Sequence, residues 1–383
     1  MLPFTYAVRN LLRSKSRLLQ TIGGSAFVVL LVMTAAAINS GMEKVLSASG
    51  SPHNVILVGA GSEESIQRSE IPETAPGIAG SSIPGINEQL GVRAVSSEIH
   101  YMSYVQLAGD RQAQALIRGV APEALRVHPQ VRLIDGRFPG SGEVMVGRLA
   151  SRKLGVGEGD LKPGSSITLD GQTLKISGVF AAPGTVLESE LWATLGDLRV
   201  LAKRETLSCV VVRLDDPADF EEADLFAKQR LDLELSALRE SDYYDRLGAF
   251  FQPLRAMTWI TAGLIAAGAL FGGINTLYAA FASRIREMAT LQAIGFGRRA
   301  LLFSLIQESM LACLAGTLLA SALAVFLLDG RTVPFSIGTF TLEVGPGVAL
   351  TGIATGFFLG LLGALPPAIR CLKPSLHSAL RMS

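Results

Sequence analysis

Four long stretches of apolar residues divide this chain of 383 residues. Three of them carry no charged side chain: 18–42, 256–283 and 345–369. The fourth, 300–328, carries only Glu308. Because about 20 apolar residues in a helix cross a hydrocarbon core of about 30 Å, each stretch is long enough to span a membrane. The pattern predicts a membrane protein with four spanning helices.

The first stretch has a second interpretation. Arg13, Lys15 and Arg17 precede an apolar run that ends in three alanines at 35–37, as in a cleavable signal peptide. The uncharged stretch is 25 residues long, however, whereas the apolar part of a signal peptide has about 7–15. A retained membrane span is therefore favoured.

Basic residues indicate how the spans are oriented, because lysine and arginine accumulate in cytoplasmic loops. The segment before the first span, the loop 284–299 and the tail after 369 each hold at least three of them, whereas the loop 329–344 has only Arg331. Both termini and the loop 284–299 are thus predicted to be cytoplasmic. Residues 43–250 would then lie outside, and the four spans alternate without conflict.

The outer region has the texture of an α+β domain, with short β-type runs interrupted by Gly, Pro and Asp. Asp170-Gly171 predicts a two-residue hairpin, and the Gly- and Pro-rich stretch 71–86 is expected to be a loop. Helices are predicted at 148–154, 195–203 and 218–229. The predicted strands are 54–58, 94–99, 115–120, 143–146, 166–169, 173–180 and 209–214.

Catalytic and metal-binding patterns are lacking in the sequence of this region. His53, His100 and His128 are far apart and have neither the HxxxH nor the HExxH spacing, so they are expected to be surface or packing residues. Ser165-Ser166 lacks the GxSxG context of a nucleophile. The three cysteines include no CxxC pair, and the net charge of +1 gives no sign of a nucleic-acid partner. Neither an enzyme nor a metal site is predicted.

The end of the outer region predicts a stalk. Ser241 is a suitable N-cap, with Asp242 and Asp245 in the first turn of the helix that follows. Apolar residues continue from there into the second span, so this helix would join the domain directly to the membrane, with a kink at Pro253. A short separate helix before the span is the alternative.

The cytoplasmic loop 284–299 predicts an amphipathic helix. Ile285, Met288, Ala289 and Ile294 form an apolar stripe, and Gly295 follows them. Such a helix either lies on lipid or docks on a partner. Docking would need a groove that buries the stripe.

Several motifs resemble those of FtsX-like, or MacB-type, permeases of ABC transporters. The loop resembles the family signature R-E-[IM]-x-x-L-[RQ]-A-[IL]-G-x-x-[RK]-R, with Arg286 as its first residue and Arg299 as its last. Arg9-Asn10-Leu11 resembles the family's N-terminal helix. Pro367-Ala368, Pro374 and Ala379-Leu380-Arg381 resemble its C-terminal ending, although Cys371 replaces a small alanine. In the outer region the likeness lies at 118–120, 135–137, 143–144 and 178–179.

The resemblance implies that the loop is a coupling helix seated on a separate ABC ATPase. That role transfers to six residues: Arg284, Arg286, Glu287, Leu291, Gly295 and Arg298. ATP and Mg²⁺ would bind to the partner and no cofactor to this chain, which has no GxxxxGK[ST] phosphate loop. A second permease copy is expected, in a homodimer. A membrane-fusion adaptor protein and membrane lipid are further candidate partners.

Two GxxxG pairs, Gly268 with Gly272 and Gly356 with Gly360, are candidates for close helix packing. Glu308 lies inside a span, where an ionisable side chain faces a protein interior or extends to the interface, and no catalytic role is assigned to it.

The sequence therefore predicts the permease subunit of an exporter that works by mechanotransmission, in a bacterial cytoplasmic membrane. The alternative is a signalling permease that activates a cell-wall hydrolase or a sensor. The predicted segments are a cytoplasmic amphipathic helix at 1–17, spans at 18–42, 251–283, 300–328 and 345–369, an extracytoplasmic domain with stalk at 43–250, a coupling loop at 284–299, a short external loop at 329–344 and a cytoplasmic tail at 370–383.

Overall fold

The computed structural model describes residues 4–13, 15–107 and 111–373. The helices are α1 (Phe4–Arg13), α2 (Lys15–Ser49), α3 (Ala75–Ser82), α4 (Ala124–Val127), α5 (Ala150–Leu154), α6 (Leu195–Ala202), α7 (Phe220–Gln229), α8 (Glu240–Phe250), α9 (Gln252–Ala282), α10 (Ile285–Ala293), α11 (Arg298–Leu327) and α12 (Pro346–Cys371). Short 3₁₀ helices lie at Ile66–Arg68, Glu158–Leu161, Val186–Ser189 and Pro217–Asp219.

Fourteen strands occur in the described part of the chain. They are β1 (Asn54–Gly59), β2 (Glu88–Gln89), β3 (Val92–Arg93), β4 (Val95–Leu107), β5 (Arg111–Val120), β6 (Arg132–Gly136), β7 (Glu143–Gly147), β8 (Ser166–Leu169), β9 (Gln172–Ala181), β10 (Leu191–Thr194), β11 (Cys209–Arg213), β12 (Leu235–Arg239), β13 (Thr332–Pro334) and β14 (Thr339–Thr341).

The chain divides into two compact units. The helical unit consists of residues 1–40, 253–331 and 342–383, and the sheet unit consists of 41–252 and 332–341. Four helices are long and apolar enough to span a membrane: Leu18–Ser49, Gln252–Ala282, Arg298–Leu327 and Pro346–Cys371. All four predicted apolar stretches are thus helical.

In the helical unit, small residues bring α12 close to its neighbours. A Cβ atom added at Gly352 would lie 2.7 Å from the Met33 sulfur of α2, and one added at Gly356 would overlap Thr317 Oγ1 of α11. Without a favourable hydrophobic effect between helices in lipid, such close backbone approach is a main source of packing energy. Glycines therefore determine how tightly α12 packs in this unit.

The sheet unit is built on ten strands in the order β12-β1-β11-β4-β5-β10-β7-β9-β6, with β8 paired to β4 and β9. Most pairs are antiparallel, but β10 with β5 and β7 with β9 are parallel. Strand β1 is buried along its whole length, with Val55 and Leu57 in one apolar cluster and Ile56 and Val58 in another. Strands and helices mix without strict alternation, which confirms the α+β class.

The Asp170-Gly171 hairpin is confirmed. Leu169 pairs with Gln172, and both central residues have positive φ, 47° at Asp170 and 82° at Gly171, as a type I′ turn requires. All seven predicted strands exist. Seven further strands were not predicted, and three of them, β6, β10 and β12, belong to the ten-stranded sheet.

Two predictions about loops need correction. The stretch 71–86 was expected to be a loop, but it contains α3, whose Ala75 and Ala79 are fully buried against the sheet. Its proline at position 76 lies in the first turn, where a missing N–H costs nothing. The external loop 329–344 contains the hairpin of β13 and β14, which belongs to the sheet unit. There Thr339 Oγ1 lies 2.7 Å from Ser189 Oγ.

The predicted stalk helix is interrupted. Helix α8 ends at Phe250 and α9 begins at Gln252, so the short separate helix, given as the alternative, is what forms. Pro253 then lies in the first turn of α9, where proline is tolerated, rather than inside a continuous helix. The predicted N-cap, Ser241, is wrong. Arg239 is the N-cap, since β12 runs directly into α8.

Candidate functional site

Helix α10 forms in the predicted coupling loop, and its apolar stripe is buried within the helical unit. Met288 and Ala289 are buried, and Ile285 and Leu291 are partly buried. Only Ile294 of the predicted stripe is exposed, at 71%. The stripe packs on buried residues from the ends of α9, α11 and α12, namely Phe281, Leu301, Leu305, Ala368 and Cys371. The expected groove is therefore supplied by the chain itself.

An ion cluster fastens α10 at its N-terminal end. Nη1 of Arg284 lies 3.0 and 3.3 Å from the two carboxylate oxygens of Glu308 on α11. Asn10 Nδ2 on α1 donates to Glu308 Oε2 at 2.8 Å. Glu287 pairs with Arg284 at 3.4 Å and with Arg13 at 3.2 Å. Arg284 and Glu287 thus connect α10 to α1 and α11.

This cluster explains the ionisable residue in the third span. Glu308 is 5% exposed, and a buried carboxylate is tolerated when paired with a cation and hydrogen-bonded. Burial acts to lower the pKa of Arg284, but the Glu308 carboxylate outweighs this effect and the pKa of the guanidinium is raised. Of the two alternatives for Glu308, the structure places it in the protein interior.

The opposite face of α10 is exposed. Arg286, Thr290, Ala293 and Ile294 are spaced at helical intervals and point away from the buried cluster. Gly295 follows with φ of +107°, a conformation that favours glycine, so it ends the helix cleanly. This face of α10 is not covered by the described part of the chain.

The six predicted coupling residues therefore separate into two groups. Arg286, Gly295 and Arg298 are exposed, whereas Arg284 and Glu287 bind other parts of this chain and Leu291 packs on the cluster. Asn10 and Arg13 were missed as members of the site. They lie 298 and 274 residues from their partners in sequence, and no local pattern links them.

The two glycine pairs behave differently. At Gly360 an added Cβ would lie 3.1 Å from the Met310 sulfur, so Gly356 and Gly360 pack against α11 in this chain. At Gly268 and Gly272 an added Cβ would meet no described atom within 4 Å. The pair on α9 therefore has no role in packing the described part of the chain.

A second cluster of charges is buried in the sheet unit. Arg118 on β5 binds both carboxylate oxygens of Glu190 at 2.7 Å, and its Nη1 donates to Glu98 Oε2 at 2.6 Å. His100 and His128 also bind Glu98, at 3.0 and 2.9 Å. All five side chains are at most 7% exposed. Of the two roles expected for these histidines, surface and packing, both have the second, because the pairing of β4 with β5 and the packing of α4 bring them onto one buried carboxylate.

The cluster shifts the pKa values of its members. Burial would raise the pKa of Glu98, but Arg118 and His128 outweigh it and hold that pKa well below its usual range. Burial lowers the pKa of His100, and Arg118 lowers it further. Burial alone would also lower the pKa of His128, but Glu98 raises it overall. Glu98 thus favours the protonated form of His128, whereas burial and Arg118 favour the neutral form of His100.

Glu98, His100 and Cys209 are close enough together to suggest a metal site, since their ligand atoms lie within 4.8 Å of one another. These donor atoms do not suit a metal ion. Glu98 Oε2 already accepts from Arg118, and burial raises the pKa of the Cys209 thiol well above its ordinary value, which leaves it protonated. The cluster is thus better suited to joining β4, β5 and β10 than to ligating an ion.

Family models identify the chain. The model of the MacB-like periplasmic core domain matches residues 18–224. The chain belongs to the MacB/FtsX-like permease family. The model of the FtsX-like permease C-terminal region matches residues 259–376 of this permease. Of the predicted C-terminal motif, Pro367-Ala368 lies in α12, whereas Pro374 and residues 379–381 lie outside the described residues.

Solved structures include similar domains. The periplasmic region of MacB from Actinobacillus actinomycetemcomitans is 12% identical, with a TM-score of 0.39, over 54% of this chain and 96% of that one. The extracellular domain of the noncanonic ABC-type transporter YknZ from Gram-positive bacteria is 13% identical, with a TM-score of 0.38, over 48% and 99%. None of the curated proteins matches the permease.

Family membership establishes the coarse function. The chain is an ABC-transporter-type permease with membrane helices and a MacB-like extracytoplasmic domain, and an ABC ATPase is its implied partner.

Proposed function

We propose that this permease is a subunit of an ATP-driven exporter that works by mechanotransmission, with ATP hydrolysis on a separate subunit. Helix α10 carries the proposal, because its inner face is fixed to the helical unit while its outer face is exposed. ATP and Mg²⁺ would bind to the partner ATPase. A movement imposed on the exposed face is then passed on through the buried one.

Within the helical unit, the ion cluster and the apolar cluster form the path of that movement. The Arg284–Glu308 pair joins the start of α10 to α11, and Met288 and Ala289 press on α9, α11 and α12. Packed interiors deform little, so a displacement of α10 moves the ends of these helices together. The loop thus moves as a rigid part of the helical unit and is not a flexible connection.

Within the sheet unit, the end of α2 and the start of α8 meet. A Cβ added at Gly50 would lie 2.6 Å from Ser241 Cα, so the two backbones are in contact. The Glu240 carboxylate accepts from the backbone N–H of Ser51 at 2.9 Å and from Asn54 Nδ2 at 2.9 Å. This junction supports mechanotransmission, because a pull on either helix reaches the neighbouring strands β1 and β12.

The proposed orientation places both termini and α10 in the cytoplasm and the sheet unit outside a bacterial inner membrane. The distribution of basic residues favours it. A further observation supports it: the hairpin of β13 and β14 belongs to the sheet unit, as expected if the loop between α11 and α12 lies on the same side as residues 43–250. Four spans then alternate.

We also propose that the working unit is a homodimer. Helix α9 presents Gly268 and Gly272 without a described neighbour, and this surface would let a second copy approach closely. Membrane lipid would cover what the second copy leaves exposed. A membrane-fusion adaptor is proposed as a partner of the sheet unit.

The orientation predicts which positions a membrane-impermeant thiol reagent reaches in intact cells. Gln172→Cys should be labelled and Gly297→Cys should not, since both are exposed but lie on opposite sides. Gln172 is preferred to Gly171, whose φ of 82° would strain a cysteine. The three native cysteines are buried and give a low background. Labelling of Gly297→Cys alone would invert the topology.

Reversing one exposed charge should weaken the ATPase contact. Arg286→Glu is expected to reduce co-purification of the ATPase at least tenfold, because reversing a charge in such a contact costs a few kcal/mol. Membrane insertion should be normal, as Arg286 lies outside the spans and its side chain is exposed.

Arg370→Glu is the matched control for this variant. It reverses an exposed arginine that belongs to the last turn of α12 and not to the exposed face of α10, and it should leave co-purification unchanged. Equal recovery of the ATPase with Arg286→Glu and wild type would mean that α10 lies on lipid, and the coupling assignment would be withdrawn.

A further inference from the structure

A cavity of about 890 Å³ opens within the sheet unit. One wall is α8, another is the segment 61–68, and the floor is the face of the buried ion cluster formed by His100, Arg118 and Glu190. Its volume lies in the range of about 300–1,000 Å³ found for small-molecule sites. The roles proposed for the exposed face of α10 and for the helix junction at Gly50 do not explain this cavity.

The charges at the floor are already paired. Both carboxylate oxygens of Glu190 bind Arg118, and the remaining Nη1 of Arg118 donates to Glu98. An ionic ligand would therefore have to break a buried pair, at a cost of several kcal/mol. The rim has two acidic residues, Glu63 and Glu64, and two basic ones, Arg68 and Arg246, so it favours neither sign. The floor therefore offers no unpaired charge to an ionic ligand.

Neutral polar groups, by contrast, are available. Tyr243 and Tyr244 line the cavity, and neither hydroxyl has a hydrogen-bond partner among the described residues, although Tyr244 is only 6% exposed. A buried tyrosine hydroxyl usually finds a partner. His100 supplies a third group. Its Nε2 must donate to the Glu98 carboxylate, which leaves Nδ1 of the neutral ring as an acceptor.

The same helix supplies the apolar part of the wall. Leu247 follows Tyr243 by four residues and Phe250 follows Leu247 by three, so all three share one face of α8. Phe250 is 75% exposed, which is unusual for so large an apolar side chain near a cavity mouth. Leu116 and Val186 add apolar surface from the sheet and the adjoining 3₁₀ helix.

We propose that this cavity binds an uncharged amphipathic small molecule. Its hydroxyl or amide groups bond to Tyr243, Tyr244 and His100, and its apolar part lies on Leu247 and Phe250. The inference goes beyond the proposed function, because binding requires neither ATP nor the partner ATPase. The ligand contacts α8, which is separated from α9 by the single residue Phe251.

The test is photo-crosslinking of the full chain in lipid nanodiscs with an octyl β-glucoside that carries a diazirine at the end of its chain. Two matched probes keep the same octyl chain but have a sulfate or a trimethylammonium head group. We expect saturable labelling of peptides from α8 and 61–68 by the neutral probe. The charged probes should need at least tenfold higher concentrations.

Removing the hydroxyls tests the polar contacts. Tyr243→Phe and Tyr244→Phe should each raise the half-saturating concentration roughly fivefold, the value of one neutral hydrogen bond. Tyr104→Phe is the control, because Tyr104 is 61% exposed on β4 and outside the cavity lining. Leu247→Trp tests the cavity itself and not the hydroxyl groups. Its larger side chain fills the cavity and should abolish labelling of 61–68.

Three outcomes would overturn the proposal. The first is the absence of saturable labelling at α8 and 61–68, as for a cavity that holds only water. The second is equal labelling by all three head groups, which would indicate apolar partitioning alone. The third is an unchanged half-saturating concentration in both phenylalanine variants. None of these results bears on the ATPase contact, which is measured separately through Arg286.

Discussion

Replacing Arg284 with alanine is expected to lower permease-stimulated ATP hydrolysis by more than tenfold while the ATPase still co-purifies. The substitution removes the cation that joins α10 to Glu308 on α11. Losing one partner of a buried pair costs about 3–5 kcal/mol. The exposed face at Arg286 and Ile294 stays intact, so docking survives but its movement is no longer passed on. The measurement is ATP turnover by the reconstituted complex together with pull-down of the ATPase.

Arg299→Ala is the matched control, since it removes an exposed arginine from the same loop without touching the ion cluster. It should leave ATP turnover near the wild-type value. Glu308→Gln removes the negative charge of the same pair. It should also lower the stimulated ATP turnover without loss of the ATPase from the complex. Normal turnover in both Arg284→Ala and Glu308→Gln would show that the pair only stabilises the helical unit.

Replacing Arg118 with alanine is expected to destabilise the sheet unit by about 3–5 kcal/mol. The guanidinium neutralises Glu98 and Glu190, which are both at most 1% exposed, and its removal leaves two buried carboxylates without that cation. Urea unfolding of the full chain in nanodiscs can be followed through Trp192. This residue is fully buried, and its Nε1 donates to Glu190 at 2.8 Å.

A Trp259→Phe background leaves Trp192 as the single tryptophan reporter, since the chain has two. Arg132→Ala is the control, because it removes an exposed arginine from β6 and should change stability by less than about 0.5 kcal/mol. A midpoint for Arg118→Ala equal to that of Arg132→Ala would mean that Arg118 is not needed to compensate the buried carboxyl groups of Glu98 and Glu190. The buried charges around Arg118 would then not stabilise the sheet unit.

Elements defined by local chemistry were predictable. The Asp170-Gly171 turn follows from two positions of positive φ, and the four long apolar helices follow from apolar runs with at most one charged residue. Elements defined by remote packing were not. Helix α3 lies in a segment rich in Gly and Pro, and it is helical because Ala75 and Ala79 are buried against the sheet. Strand β10 is only four residues long and is held between β5 and β7.

The candidate site shows the same division. The position of α10 in the loop and the glycine that ends it were predicted from spacing alone. The direction of its apolar stripe was not, because a helical pattern shows which residues share a face but not what that face contacts. Met288 turned out to contact the chain's own helices, whereas Arg286 is on the exposed side of α10.

By itself the sequence determined that this protein has four apolar helices, an α+β domain between the first two, and the motifs of its family. Each follows from residues that are neighbours in the chain or repeat at a fixed spacing. Only the tertiary structure decided that Asn10, Arg284 and Glu308 share one ion cluster, and that His100 and His128 share one carboxylate. Charged residues so far apart in sequence meet only when the helices and strands pack. Burial then makes an unpaired charge costly, so each buried charge needs a partner of opposite charge or a hydrogen bond.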